Sequence, residues 1–261
     1  MNNNIKVSIV TPSYNQGQFI EETILSILNQ TYKNIEYIIV DGGSTDNTME
    51  IINKYKDKID IIISEKDNGQ TDAINKGFRL SLGTLVGWIN SDDFLYPECV
   101  ERLVKKYIEY PNAAIYYNAS LDYIDENSKY IRTNHREITN KEFLLRTNFA
   151  VIQPTSFYNR ELVKKADYLD EKIRYCMDLD LWLKLLEHGD ICKVGNISLG
   201  AFRVWQLSKT SNEIFKFLPE IRKTLLKHGA KITDKSVRST FSLIFRFRIE
   251  SLKKIIKKNL V

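Results

Sequence analysis

Apolar runs of two kinds alternate along residues 5–97. Short blocks rich in Val and Ile, at 6–11 (KVSIVT), 35–40 (IEYIIV), 59–63 (IDIII) and 84–89 (TLVGWI), read as buried strands. Between them the apolar positions recur every three or four residues. Phe19, Ile20, Ile24, Ile27 and Leu28 mark a helix over 18–29, and further helices are predicted at 46–55 and 71–82. Strands that are apolar on both faces and alternate with helices predict a parallel sheet covered on both sides. Ligands of such sheets bind beyond the carboxyl ends of the strands. After residue 97 the pattern loosens. Helices are expected at 98–109, 141–146 and 178–188, strands at 114–117 and 198–204, and two more helices after 212.

All four predicted strand ends carry residues capable of chemistry. At the first, Thr11, Tyr14 and Asn15 offer a hydroxyl, an aromatic ring and an amide, in what is otherwise a Pro-directed turn. At the second (DGGSTD, 41–46), two glycines permit tight backbone geometry. Ser44, Thr45 or Asp46 can cap the next helix, whereas Asp41 has no capping task. The third, 65–72, is polar throughout, with Thr71 or Asp72 placed to cap. The fourth sets Asp92 and Asp93 side by side two residues after Asn90. Adjacent like charges repel, so the pair reads either as helix caps before Pro97 or as ligands for a cation. Mg2+ and Mn2+ suit the second reading, since they bind oxygen through one or two carboxylates plus substrate phosphates. No GxGxxG or GxxxxGK[ST] follows the first strand, which disfavours a dinucleotide fold and a P-loop.

These segments also carry a resemblance. VSIVTPSYNQGQFIEETILSILNQTY, IEYIIVDGGSTDNT, EKDNGQTDAINKGF and GWINSDDFLYP are similar, in order, to signatures of inverting family 2 glycosyltransferases. The likeness covers roughly residues 5–205, most closely 5–97. It implies a GT-A fold: an α/β domain over 1–212 with a Rossmann-like, mostly parallel central sheet and helices on both faces. Its nucleotide-binding half would be about 1–97 and its acceptor half about 98–212, with a basic helical extension at 213–261. By this resemblance Thr11 and Tyr14 line the nucleoside pocket, Asp41 binds the base, and Asp72 lies near ribose or base. Asp92 and Asp93 end a DxD-type motif that binds Mg2+ or Mn2+ and the donor diphosphate. Asn90 stands where the family often has the first Asp of that motif, keeping an acceptor oxygen and dropping a charge.

Glycosyl transfer needs a carboxylate to take the acceptor's proton. In RYCMDLDLWLK (174–184), Asp178 falls on the side of Leu181, Trp182 and Leu185, the packing face. Asp180 falls on the side of Lys184 and Glu187, which predicts a surface position paired with Lys184 at i,i+4. A first-turn acid also suits a helix start without any catalytic role. The resemblance assigns Asp178 to the acid of the family's ED motif, with Met177 in place of the usual Glu. Gln153–Phe157 and Arg160 resemble an acceptor-side segment. Arg203 and Lys209 are candidates for phosphate contact or for plain surface charge, and Trp205 stands where the family has a histidine. His135, His188 and His228 lie outside the motifs and have no expected role.

With 261 residues, 43% hydrophobic and 27% charged, the chain has the composition of a soluble globular protein. No apolar run approaches the ~18 residues of a membrane span, and the first residues lack a signal-peptide pattern. Three cysteines without CxxC spacing suggest neither a disulfide frame nor a zinc site, so a cytoplasmic protein is expected. The net charge of +5 hides an asymmetry. From residue 216 onward there are 13 basic residues against three acids, whereas residues 1–215 hold 25 against 30. The acidic body argues against nucleic acid as a partner. Over 237–260, Phe241, Ile244, Phe245, Leu252, Ile255 and Ile256 can share one helical face, flanked by Arg238, Arg246, Lys253, Lys254, Lys257 and Lys258. Such a helix reads as an element lying on an anionic membrane surface, or as one packed on the body or on a second subunit. The expected activity is transfer from a nucleotide-diphosphate sugar, chiefly a UDP-sugar, to a glycan or lipid-linked acceptor in cell-surface polysaccharide synthesis. The alternatives are a catalytically silent nucleotide-sugar-binding protein and a nucleotidyltransferase, though the latter should show a Gly-rich basic loop that TPSYNQGQF is not.

Overall fold

The computed structural model describes residues 5–206, 208 and 213–259, by backbone alone at 214 and from 248 to 259. The expected alternation builds four strands of a seven-stranded sheet. β1 (Val7–Ser13), β2 (Ile35–Asp41), β3 (Ile61–Ser64) and β4 (Leu85–Trp88) pair in parallel, with β1 between β4 and β2. Between them run α1 (Ile20–Leu28), α2 (Thr48–Lys54) and α3 (Gln70–Leu80). The short β5 (Phe94–Leu95) and α4 (Cys99–Glu109) follow.

The second half supplies β6 (Ala113–Tyr117), β7 (Ser120–Ile124), β8 (Tyr130–His135), α5 (Lys141–Arg146), β9 (Ser156–Asn159), α6 (Arg160–Lys165), α7 (Met177–Leu185), β10 (Asp190–Lys193) and β11 (Gly200–Arg203). β9 enters the large sheet antiparallel between β4 and β6, giving the order β10-β6-β9-β4-β1-β2-β3. β5, β11, β7 and β8 form a separate four-stranded sheet in that order. The apolar pattern predicts none of β5, β7, β8, β9 and β10. They are short, and β8 (YIRTNH) is an almost wholly exposed edge strand with no apolar alternation.

Strand alternation divides the core into two layers. Val10, Ile38 and Val40 face Ile74 and Phe78 of α3 and Trp182 of α7, while Ile9, Tyr37 and Ile39 face Ile20 and Ile24 of α1 and Leu103 of α4. The residues expected as a helical extension form α8 (Ile214–Lys227) and α9 (Lys235–Asn259). Both pack on the first layer, through Leu218, Ile221 and Leu225 of α8 and Val237 of α9. The single apolar face expected for α9 is divided. Ile244 packs against the core, whereas Phe241 and Phe245 are 49% and 68% exposed. Leu252, Ile255, Ile256 and the lysines around them lie outside the described side chains, as does the expected boundary at 212.

α8 also holds the start of α7. Backbone N–H groups in the turn leading into a helix need an acceptor when they are taken out of water. Here the Glu220 carboxylate accepts from three consecutive backbone N–H groups, of Arg174 (3.1 Å), Tyr175 (2.6 Å) and Cys176 (3.1 Å). A negative charge at that end also complements the helix dipole. One turn further on, Asp180 is fully buried, which corrects the expected surface position. Its Oδ1 meets His228 Nε2 at 2.9 Å and Lys227 Nζ at 3.2 Å, while Lys184 Nζ stands 4.0 Å from Oδ2. Burial acts to raise the Asp180 carboxyl, but the hydrogen bond and charges from His228 and Lys227 outweigh it and hold it below the ordinary range. His228, expected to be idle, is the buried partner that makes this acid tolerable. We expect Glu220→Ala to cost about 1–3 kcal/mol, since three N–H groups lose a charged acceptor. Glu220→Gln, which keeps an acceptor oxygen, should recover part of the loss in urea unfolding; equal stability of Glu220→Ala and the parent would contradict this account.

Candidate active site

The carboxyl ends of β1 to β4 open onto a cavity of about 1050 Å³. One side is formed by the loops around Tyr14, Gly43 and Asp72. The other is formed by the four-stranded sheet, the segment 151–154 and the approach to α7. Five of the expected site residues meet on its wall: Tyr14, Asp72, Asn90, Asp92 and Asp178. Thr11, Asp41 and Asp93 do not.

The reason is the parity of the strands. Thr11 lies on the same side of β1 as Val7 and Ile9, so its hydroxyl meets Tyr37 Oη (3.2 Å) inside the second core layer. Asp41 continues the inward side of β2 and is fully buried. Its Oδ2 accepts from the backbone N–H of Gly43 (3.1 Å) and Ser44 (2.9 Å) and from Ser64 Oγ (2.9 Å), and Ser44 Oγ bonds its Oδ1. Asp41 therefore builds the turn behind the wall, where Gly43 takes φ +81°. The neighbouring loop is tied to that turn: Asn15 accepts from Thr45 N–H (2.8 Å) and its own N–H donates to Ser44 Oγ (2.8 Å). Tyr14, 59% exposed, projects from this loop at the cavity. Beside it, Ser13 and Gln16 were not expected in the site. Ser13 Oγ and Gln16 Oε1 are buried on the cavity wall with no protein partner among the described residues. Buried polar groups without partners point to a polar ligand.

Asp72 opens α3; it accepts from Asn68 N–H (2.9 Å) and pairs with Lys76 at 3.5 Å. Across from it lies the 90–93 turn. Asn90 Oδ1 accepts from Gln70 Nε2 (2.8 Å), and Asn90 Nδ2 donates to Asp93 Oδ2 (3.1 Å). An aspartate at 90 would lack that donor and set a further carboxylate against Asp93. Asp93 itself points inward and is fully buried. Burial, with the charge of Asp92 beside it, pushes its carboxyl well above the ordinary range.

Behind the turn sits Arg203, only 2% exposed, so it is neither surface charge nor a contact on the cavity. Its backbone N–H donates to Asp93 Oδ1 (2.9 Å), and its guanidinium donates to the Asp92 carbonyl (2.8 Å), the Asp125 carbonyl (3.1 Å) and Glu22. Trp205 donates its indole N–H to Asp92 Oδ2 (2.9 Å) and meets Phe19 edge-on at 5.0 Å. Of the expected metal pair only Asp92 lies on the cavity wall. Among the described residues no cluster of three or more acids, histidines or cysteines could hold an ion alone. One wall carboxylate suits a hard cation whose shell is completed by substrate phosphates, and does not suit a cage made by the protein. Lys209 lies outside the described residues.

Asp178 occupies the first turn of α7, on the wall beside Met177. Burial raises its carboxyl to about 6, against the pull of the Leu179 N–H at 2.8 Å. A carboxylate tuned towards neutral pH in a cavity has the character of a general base. Gln153, from the acceptor-side segment, donates to the Trp88 carbonyl (2.7 Å) and so braces the floor of the site.

The sequence profile of glycosyl transferase family 2 matches residues 8–166. An uncharacterized glycosyltransferase of Rickettsia typhi is 33% identical over 188 residues, 69% of this chain and 58% of that protein. The putative teichuronic acid biosynthesis glycosyltransferase TuaG of Bacillus subtilis is 30% identical over 212 residues, 79% of this chain and 82% of the relative. The chain therefore spans about three fifths of the Rickettsia relative's length and most of TuaG's. Among solved structures, S. aureus TarS 1–349 in complex with UDP-GlcNAc superposes with a TM-score of 0.67 at 18% identity, covering 90% of this chain and 69% of that one. The mannosyltransferase PcManGT of Pyrobaculum calidifontis, in complex with GDP-Man and Mn2+, gives 0.66 at 16% identity, covering 90% and 68%. These two likenesses establish the fold, that of GT-A glycosyltransferases with a central, mostly parallel sheet and helices on both faces. Profile, relatives and architecture agree: the chain belongs to glycosyl transferase family 2.

Proposed function

We propose that this protein transfers a sugar from a nucleotide-diphosphate sugar to a hydroxyl of a glycan or lipid-linked saccharide, with inversion at the anomeric carbon, in cell-surface polysaccharide synthesis. The observation that carries the reading is a single cavity shared by Asp178, with its carboxyl raised to about 6, and Asp92. The assignment of TuaG to teichuronic acid biosynthesis supports a polysaccharide pathway, and the UDP-GlcNAc on TarS supports a UDP-sugar as donor. In this reading Tyr14 stacks on the base and Asp72 and Asn90 bind the nucleoside side of the donor. Ser13 and Gln16 meet its polar groups, and Thr11 and Asp41 act by shaping the wall behind it. Asp178 takes the acceptor's proton as the hydroxyl oxygen forms its bond to the anomeric carbon. The bond to the diphosphate breaks on the opposite face, and the electron pair leaves with the nucleotide.

Asp92 would hold Mg2+ or Mn2+ together with the donor's phosphates, as the Mn2+ of PcManGT suggests; bound there, the cation supplies charge neutralisation for the leaving diphosphate. A second reading, a nucleotide-sugar-binding protein without transfer, draws on Met177 and on the indole that Trp205 sets against Asp92. Free nucleotide diphosphate released during incubation with donor and acceptor separates the two.

Asp178→Asn should lower transfer by about 10²–10⁴-fold, the usual contribution of a general base, while UDP affinity changes by less than about twofold. The wild-type rate should rise as pH passes through about 6, where Asp178 ionises, and then level off. The stability linkage has the opposite sense. The folded-state value lies above the unfolded one of 3.8, so the stabilisation is complete below the latter and is lost as pH rises to about 6. Asp178→Asn should therefore melt a few degrees higher than the parent at pH 7.5 and show little gain at pH 4. Undiminished turnover in this variant would place the base elsewhere.

We also propose that α9 rests on an anionic membrane surface at the cytoplasmic side, with exposed Phe241 and Phe245 entering the interface and Arg238 and Arg246 meeting the headgroups. Among the described residues no helix is long and apolar enough to cross a membrane. The full chain should co-sediment with vesicles containing anionic lipid, and Phe241→Ser/Phe245→Ser should lose most of that binding. Equal pelleting of the two would leave the face to a second subunit.

A further inference from the structure

The wall of the cavity opposite the nucleotide loops is one face of the four-stranded sheet. Leu121 and Tyr123 of β7, Phe202 of β11 and Asn134 of β8 line it, and Arg136 extends it just past the end of β8. Register places Phe202 beside Tyr123 and Tyr123 beside Arg132. The Phe202 and Tyr123 rings lie 5.4 Å apart, and the Arg132 guanidinium stands 4.6 Å from the Tyr123 ring centroid. A row of ring, ring and cation therefore crosses three strands. Alternation keeps Arg132, Asn134 and Arg136 on one side of β8. The carboxylate of these strands faces the other way, where Asp122 accepts from Tyr96 Oη (2.6 Å) and Thr133 Oγ1 (2.6 Å). Among the described residues of this face there are two aromatic rings, two guanidinium groups and an amide, and no carboxylate.

An aromatic ring offers a flat apolar surface with a polar rim, which suits the C–H face of a pyranose. Guanidinium groups present paired donors that match carboxylate and phosphate oxygens. Phe202 and Tyr123 are only half-buried, and Arg132 is exposed, so the row is open to a ligand. We propose that this face is the acceptor subsite and that it selects a saccharide bearing an anionic group, a carboxylate or a phosphate. The rings of Tyr123 and Phe202 carry the sugar, and Arg132 and Arg136 bind the charge. The proposal rests on the transfer reading above, because this face and Asp178 border the same cavity.

The test titrates the full chain by calorimetry, with and without UDP and Mn2+, against three saccharides: a disaccharide ending in a uronic acid, its neutral hexose counterpart, and the same neutral disaccharide carrying a phosphate. At least one charged ligand should bind about tenfold more tightly than the neutral one, and the stronger of the two identifies carboxylate or phosphate. Arg132→Gln/Arg136→Gln should reduce that preference below about twofold, and Tyr123→Leu should weaken all three ligands. UDP affinity should stay the same throughout. Equal binding of neutral and charged saccharides, no saccharide binding, or a preference that survives the double arginine variant would overturn the proposal. Failure of UDP to bind while the preference persists would instead sink the donor reading and leave the subsite standing.

Discussion

A guanidinium buried to 2% exposure ties the small sheet to α1 and to the acidic turn after β4. Taking a charge out of water is tolerable only where partners and hydrogen bonds compensate it fully. The Arg203 guanidinium has them from three directions: Glu22 of α1, the Asp92 carbonyl of the turn after β4, and the Asp125 carbonyl beyond β7, while its backbone N–H binds the Asp93 carboxylate. Its charge also faces the Phe19 ring at 4.6 Å. The small sheet, the first helix and the acidic turn cannot shift independently without leaving one of these groups unpaired. The direction in which Asp92 looks is a consequence. With its carbonyl bonded from behind and its neighbour Asp93 drawn inward, its side chain is left on the cavity wall.

Much of this was legible before any coordinates. Blocks of Val and Ile, bounded by Gly, Asp and Asn, mark β1 to β4 and hence the side on which a ligand binds. What stayed hidden depends on partners distant in sequence. Asp92 and Asp93 are chemically identical, and Arg203, 110 residues beyond Asp93, separates their roles. The i,i+4 rule pairs Asp180 with Lys184, but α8 covers that side and supplies His228. No local pattern announces the second sheet, because β8 has an edge strand's polar sequence. The inward turn of Thr11 and Asp41 was open to sequence reasoning. Counting every second residue from Val7 and from Tyr37 carries both away from the cavity.

The family profile ends at residue 166, short of Asp178, Arg203 and Glu220. The loops after β1 to β4 are built from chain-local material, since these strands and their helices follow one another directly. The opposite side of the cavity is assembled from strands and helices that return from far along the chain, as Phe202 beside Tyr123 and Glu220 beneath Tyr175 illustrate.

Glu220 adds a matter of timing. Chains fold as they are synthesised, beginning at the N-terminus, and contacts between distant residues form late. The segment carrying Asp178 has its N–H groups capped by a side chain more than forty residues downstream. On the ribosome the loops after β1 to β4 can therefore form while the turn that leads into α7 and Asp178 still lacks Glu220. An unfinished chain of this kind would have one wall of the cavity built before the other is fixed.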